Sequence, residues 1–105
     1  MVALLGGLSA AGAFAADDAA VLAQGKQLFM NGSSLPACAL CHTLSDAGAS
    51  GAIGPNLDEL QPDGQRVAAA LRSGIGVMPS YRAALKDDQI AAIAKYVSTV
   101  TAAGK

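Results

Sequence analysis

The chain's only two cysteines and its only histidine stand within five positions, in the run Cys38-Ala39-Leu40-Cys41-His42. Concentrating every soft ligand in one place limits what the chain can fold around. A disulfide between Cys38 and Cys41 would close a very small loop, which gains little chain entropy, and it leaves His42 without a role. A thioredoxin-type redox pair needs a strand before it and a helix after it within a βαβ unit, and neither pattern flanks this run. Structural zinc needs four ligands, usually as two pairs, and no second cluster exists. The remaining reading is covalent haem, for which Cys-x-x-Cys-His is the attachment signature.

The spacing has a chemical reason. Each thiol adds to one of two vinyl groups on one edge of the porphyrin. Two intervening residues let the backbone turn so that both sulfurs reach that edge, and the next residue turns its imidazole under the iron. One ring nitrogen of His42 then binds iron, while the other donates to a carbonyl that fixes the ring and raises its basicity. Composition agrees. Hydrophobic residues make up 52% of the 105, yet aromatics only 4%, with no Trp. Such a chain has a thin core of its own, and a macrocycle would supply the missing bulk. A net charge of -1 gives no electrostatic footprint for nucleic acid or an anionic membrane.

Residues 1–15 carry no charge and end in Ala13-Phe14-Ala15, the small-x-small pattern of a signal-peptidase site. The run lacks the basic start of a complete signal and is shorter than the ~20 residues of a spanning helix. The competing reading is a short core helix, which Gly6-Gly7 and Ala10-Ala11-Gly12-Ala13 disfavour. The expectation is an exported, periplasmic protein with one domain over residues 16–105 and no membrane span in the mature chain.

Along that domain, Val21, Gly25, Leu28 and Phe29 mark one face of a helix over residues 17–31, ended by Asn31-Gly32. A glycine inside it costs roughly 1 kcal/mol, so Gly25 marks a close approach by another element. Residues 32–56 are dense in Gly, Ser and Pro without periodicity, a long irregular segment of the kind that wraps something. Residues 57–60 make one turn. Residues 64–73 read as a helix with Asp63 as N-cap, a stripe of Val67, Ala70 and Leu71, and a stop at Gly74. Residues 86–101 form the strongest helix, with Ile90, Ile93, Val97 and Val100 on one face and Tyr96 beside it. No strand is expected: the fold class is all-α, three to five helices with long loops wrapped around the haem.

The sixth iron ligand is open to Met30, Met78 or a lysine. Met30, in the last turn of the first helix, reads as core packing. Met78 follows a helix stop and precedes Pro79; Gly74 and Gly76 let the backbone approach a flat ring, and a thioether suits iron and favours its reduced state. A filled sixth position makes an electron carrier; a vacant one makes a haem-based sensor or a peroxidase-like enzyme.

With these residues in place, the sequence resembles class I cytochrome c. The likeness runs through Gly25 and Phe29, Cys38 to His42, Gly54-Pro55-Asn56-Leu57, Met78-Pro79 and Tyr96. It implies crossed terminal helices meeting at Gly25, Phe29 and Tyr96. It also implies one haem c held by Cys38 and Cys41 thioethers, His42 as proximal ligand with Pro55 accepting from its ring, and Met78 as distal ligand. The implied activity is electron transfer rather than catalysis, by a monomer that docks transiently on redox proteins. A permanent cytochrome subunit of a dehydrogenase is the alternative. Within the family, "GPNLDEL" and the segment from Gly76 through Ser98 are similar to small cytochromes that accept electrons from bacterial molybdenum sulfite dehydrogenases.

Two departures stand out. Lys86 replaces the usual Ser or Thr cap of the last helix, an expected loss of roughly 1 kcal/mol offset by Asp87 and Asp88. The lysine-rich front is missing, so the expected docking surface at the haem edge is apolar: Ala37, Ala39 and Leu40 on one side, Ile75, Gly76, Val77 and Pro79 on the other. Arg66, Arg72, Arg82 and Lys86 fall at its rim or elsewhere, and Tyr81 or Arg82 is the candidate contact for a haem propionate.

Overall fold

A computed structural model describes residues 18–103. The signal-peptide reading of residues 1–15 lies outside them. The described chain is helical at 18–31 (α1), Cys38–Cys41 (α2), Leu57–Leu60 (α3), Gly64–Ser73 (α4) and Asp87–Thr101 (α5).

The two terminal helices meet where the sequence placed its mid-helix glycine. Gly25 lies so close to α5 that a Cβ there would overlap the Ala92 carbonyl oxygen and stand 2.5 Å from the Tyr96 Cβ. One turn on, the Phe29 and Tyr96 rings pack edge to face with centroids 6.1 Å apart. Phe29, Ile90, Ile93, Tyr96 and Val97 are essentially fully buried, joined by Leu71 from α4 and Leu44 from the loop. The Tyr96 hydroxyl donates to Asp46 at 2.6 Å, and Lys26 stands 3.7 Å from the same carboxylate, so the crossing also fastens the segment that follows the cysteines. Burial and that carboxylate hold the Tyr96 phenol above its ordinary range.

Local chemistry sets the helix ends. The Asp63 carboxylate accepts from the Arg66 N–H at 2.8 Å, as the sequence predicts, and Gly74 closes α4 at φ +71° with its N–H on the Ala70 carbonyl. Asn56 caps α3 by accepting from the Glu59 N–H. At α5 the expected capping deficit is corrected: Gln89 reaches back and accepts from the Lys86 N–H at 2.8 Å, the second half of a capping box without the first.

The loop after the cysteines also differs from the all-irregular expectation. Thr43–Leu44 (β1) pairs antiparallel with Ala49–Ser50 (β2), Thr43 opposite Ser50 and Leu44 opposite Ala49, around a 3-10 turn at Ser45–Ala47. Gly48 at φ +65° reverses the chain. Strands this short carry no readable alternation; the ladder exists because Leu44 and Ala49 are both buried on the core side. The Ser45 N–H donates to Asp58, which ties the hairpin to α3. Among the described residues no helix is long and apolar enough to cross a membrane.

Candidate haem site

A cavity of about 580 Å³ opens between α2, α4, α5 and the segment after α4. Its size lies within the ~300–1,000 Å³ range of small-molecule sites. The wall is almost wholly apolar, with Phe29, Leu57, Val67, Leu71, Ile93 and Val97 among its residues; Arg66 is the one charged side chain on it. Cys38, Cys41, His42, Pro55 and Met78 all line it. The structure thus gathers every sequence-predicted site residue into one space.

α2 explains the cysteine spacing. Cys38 and Cys41 begin and end a single helical turn, closed by the His42 N–H on the Cys38 carbonyl at 3.0 Å. Residues three apart on a helix share a face, and both thiols face the cavity, unjoined. Burial pushes the Cys38 thiol up to about 11, so it is held as a neutral thiol at physiological pH. Among the described residues no three His, Cys, Asp or Glu side chains stand together as a metal cluster.

His42 is fixed from two directions. Its Nδ1 lies 2.8 Å from the Pro55 carbonyl oxygen. A carbonyl only accepts, so this contact assigns the proton to Nδ1 and leaves Nε2 with a free lone pair. The ring face rests on Gly54: a Cβ there would stand 2.6 Å from Cε1 and 2.9 Å from Nδ1. Gly54 is itself held, its N–H donating to the Cys41 carbonyl at 2.6 Å. On the same stretch, Gly51 lies against the Leu40 and Cys41 backbone.

Met78 enters from the other side. Ile75 and Met78 exchange both backbone hydrogen bonds, at 3.0 and 2.9 Å, around a turn with Gly76 at φ +56°. A Cβ at Gly74 would stand 2.8 Å from the Met78 carbonyl oxygen. The other candidates are not there. Met30 is 42% exposed, so it is not the core residue the sequence suggested, and it faces a separate shallow depression with Leu40. No lysine among the described residues lines the cavity.

Residues 20–97 match the family described as Cytochrome C oxidase, cbb3-type, subunit III. The chain belongs to the cytochrome c family. Among solved structures it is similar to the c-type cytochrome SorU from Sinorhizobium meliloti, 54% identical, covering 77% of this chain and 91% of that one with a TM-score of 0.73. No curated protein gives a significant match. The fold is therefore the class I cytochrome c fold and the cofactor is covalently bound haem c, carried by the Cys38-x-x-Cys41-His42 signature. The protein is an electron-transfer cytochrome.

The cytochrome's surface departs in detail from the sequence reading. Ile75, Val77 and Pro79 are exposed at the cavity mouth, as expected, but Ala39 and Leu40 turn to the Met30 depression. Ile53, 67% exposed and on the cavity wall, takes their place; one isoleucine in an aperiodic Gly-Ala stretch gave no signal. Arg82 is not on the wall, and the Tyr81 hydroxyl donates to the Pro36 carbonyl. Arg66 is the cation that stands on the wall instead.

Proposed function

We propose that this cytochrome is a periplasmic one-electron carrier with His42 and Met78 as the two axial ligands, Cys38 and Cys41 as the thioether anchors, and Pro55 as the acceptor that orients His42. The observation that carries this reading is the paired fixation of the two ligand side chains: His42 by Pro55 and Gly54, Met78 by its exchange of hydrogen bonds with Ile75. The haem supplies an iron that cycles between ferrous and ferric. The chain's part is to present one nitrogen and one thioether from pre-set positions, so that little rearranges when the electron arrives. The apolar wall excludes water and disfavours the extra charge of the ferric state, which raises the potential. A sensor or peroxidase-like role needs an easily opened sixth position, and a Met78 fixed in its turn and packed against the core argues against one.

Electrons pass at the cavity mouth, where Ile53, Ile75, Val77 and Pro79 form the docking rim. Transient redox contacts bury little area, and apolar side chains without a lysine ring suit brief association with a partner whose own patch is apolar. The similarity of "GPNLDEL" and the Gly76–Ser98 segment to acceptors of bacterial molybdenum sulfite dehydrogenases makes such an enzyme the proposed donor.

Two measurements test this. The ferric spectrum is expected to show the weak red band of methionine-to-iron bonding, lost in Met78→Ala and kept in Met30→Ala. Loss in Met30→Ala instead would overturn the ligand assignment. With purified periplasmic sulfite dehydrogenase, sulfite is expected to reduce the cytochrome rapidly, and gel filtration of the mixture is expected to separate the two proteins. Slow reduction removes the donor and leaves the carrier; co-elution would make this a permanent subunit.

A further inference from the structure

The segment that carries Met78 is fastened on two sides by different means. Towards α4 it has three ties. The Gly74 N–H bonds the Ala70 carbonyl at 2.8 Å, Ser80 donates its hydroxyl to the Arg72 carbonyl at 2.6 Å, and the Tyr81 N–H bonds the Leu71 carbonyl at 2.6 Å. Towards the segment that leads into the cysteines it has one. Buried Tyr81 donates its hydroxyl to the Pro36 carbonyl at 2.5 Å, and Pro36 stands just ahead of Ala37 and Cys38. Among the described residues no other hydrogen bond joins residues 74–81 to that segment. Tyr81, Pro36, Cys38 and Met78 all line the cavity, so this one bond spans its two walls.

We propose that Tyr81 is a positioning residue whose hydroxyl straps the Met78 segment to the haem-attachment segment and sets how often the sixth ligand side opens. The proposal rests on Met78 as the sixth ligand. Beyond the buried Tyr81 ring and the partly buried Met78, which pack on the core, the rest of the segment is loosely held. Ile75 and Val77 are 71% and 88% exposed, and a Cβ at Gly76 would meet nothing within 4 Å. Where apolar contacts are few, local opening is governed by the handful of hydrogen bonds it breaks. The α4-side ties can stay made while the walls part; the Tyr81–Pro36 bond must break, and the Ile75–Met78 turn is then freed to open its paired bonds. Opening exposes the position to competing ligands, so the strap is what keeps a carrier from taking up small molecules.

The test uses the ferric holoprotein with free imidazole as the competing ligand, followed by stopped-flow absorbance, together with amide hydrogen exchange at Met78. Tyr81→Phe keeps the ring and removes only the hydroxyl. It is expected to speed both imidazole binding and Met78 exchange about tenfold, the factor given by one hydrogen bond of ordinary strength. Ser80→Ala removes a bond from the same segment on the α4 side and is expected to stay near wild type in both. Wild-type rates in Tyr81→Phe would overturn the strap, as would equal acceleration in Ser80→Ala. The two readings fail separately. A wild-type ferric spectrum without the methionine band removes Met78 as ligand, while faster Met78 exchange in Tyr81→Phe still upholds the strap.

Discussion

Gly25→Ala is expected to destabilise the cytochrome by about 3 kcal/mol or more, against the gain of roughly 1 kcal/mol that alanine ordinarily gives inside a helix. The reversal of sign comes from what the added methyl meets. It would overlap the Ala92 carbonyl oxygen and press on the Tyr96 Cβ. These are backbone and near-backbone atoms of α5, which no rotamer change can move. Relief requires α1 and α5 to separate, and that loosens the Phe29–Tyr96 contact and draws the Tyr96 hydroxyl from Asp46. For a domain with a typical margin of ~5–15 kcal/mol, one methyl then removes a large share of the stability. Gly48→Ala is the control. Gly48, unlike the helical Gly25, has a positive φ, of +65°, and nothing lies within 4 Å of its Cβ position, so its cost is left-handed backbone strain alone, about 1–2 kcal/mol. Urea unfolding followed by far-UV circular dichroism compares the two. A Gly25→Ala protein as stable as wild type would mean that the helices do not touch at this point.

Gly25 also illustrates which parts of the fold were legible in the sequence. A glycine in a helical stripe contradicts propensity, and the contradiction itself announces a close contact. The Cys-x-x-Cys-His run was legible because covalent chemistry dictates its spacing, and Asp63 because a cap acts within three residues. What stayed hidden depends on partners far along the chain. The Tyr81–Pro36 and Tyr96–Asp46 bonds join residues 45 and 50 positions apart, and no local pattern encodes them. The Thr43–Ser50 hairpin was too short to alternate. Gln89 capping Lys86 was missed because the expected cap residue was sought at the wrong end of the box. Met30 read as core packing but is exposed: a residue's type gives its preference for burial, and only the packed fold decides whether there is room.

Gly54 was visible in the sequence only as the first letter of "GPNL", yet it is expected to matter as much to function as Gly25 does to stability. In Gly54→Ala the new methyl would stand 2.6 Å from His42 Cε1 and 2.9 Å from Nδ1. The imidazole is already held at Nδ1 by Pro55, and Gly54 is held by Cys41, so the ring and the loop cannot both stay in place. Either the ring tilts, or the Gly54-Pro55 segment retreats and takes the Pro55 carbonyl with it. Both outcomes weaken the Pro55 contact that, in the proposed ligation, makes His42 a strong donor, and losses of such supporting contacts typically cost ~10–100-fold in metal affinity or activity. In the Met78→Ala background, where the sixth position is vacated, the iron–imidazole vibration of the ferrous protein is therefore expected to shift on adding Gly54→Ala, and Gly54→Ala alone is expected to change the reduction potential. Gly51→Ala separates this from general crowding. Its methyl would press on the Leu40 carbonyl oxygen and the Cys41 backbone, not on the imidazole, so it should cost stability and leave the vibration in place. Equal shifts in both variants would show that the ring senses only the packing of the attachment loop. A shift confined to Gly54→Ala would show that a missing side chain, set beneath the imidazole, holds the proposed proximal ligand in register.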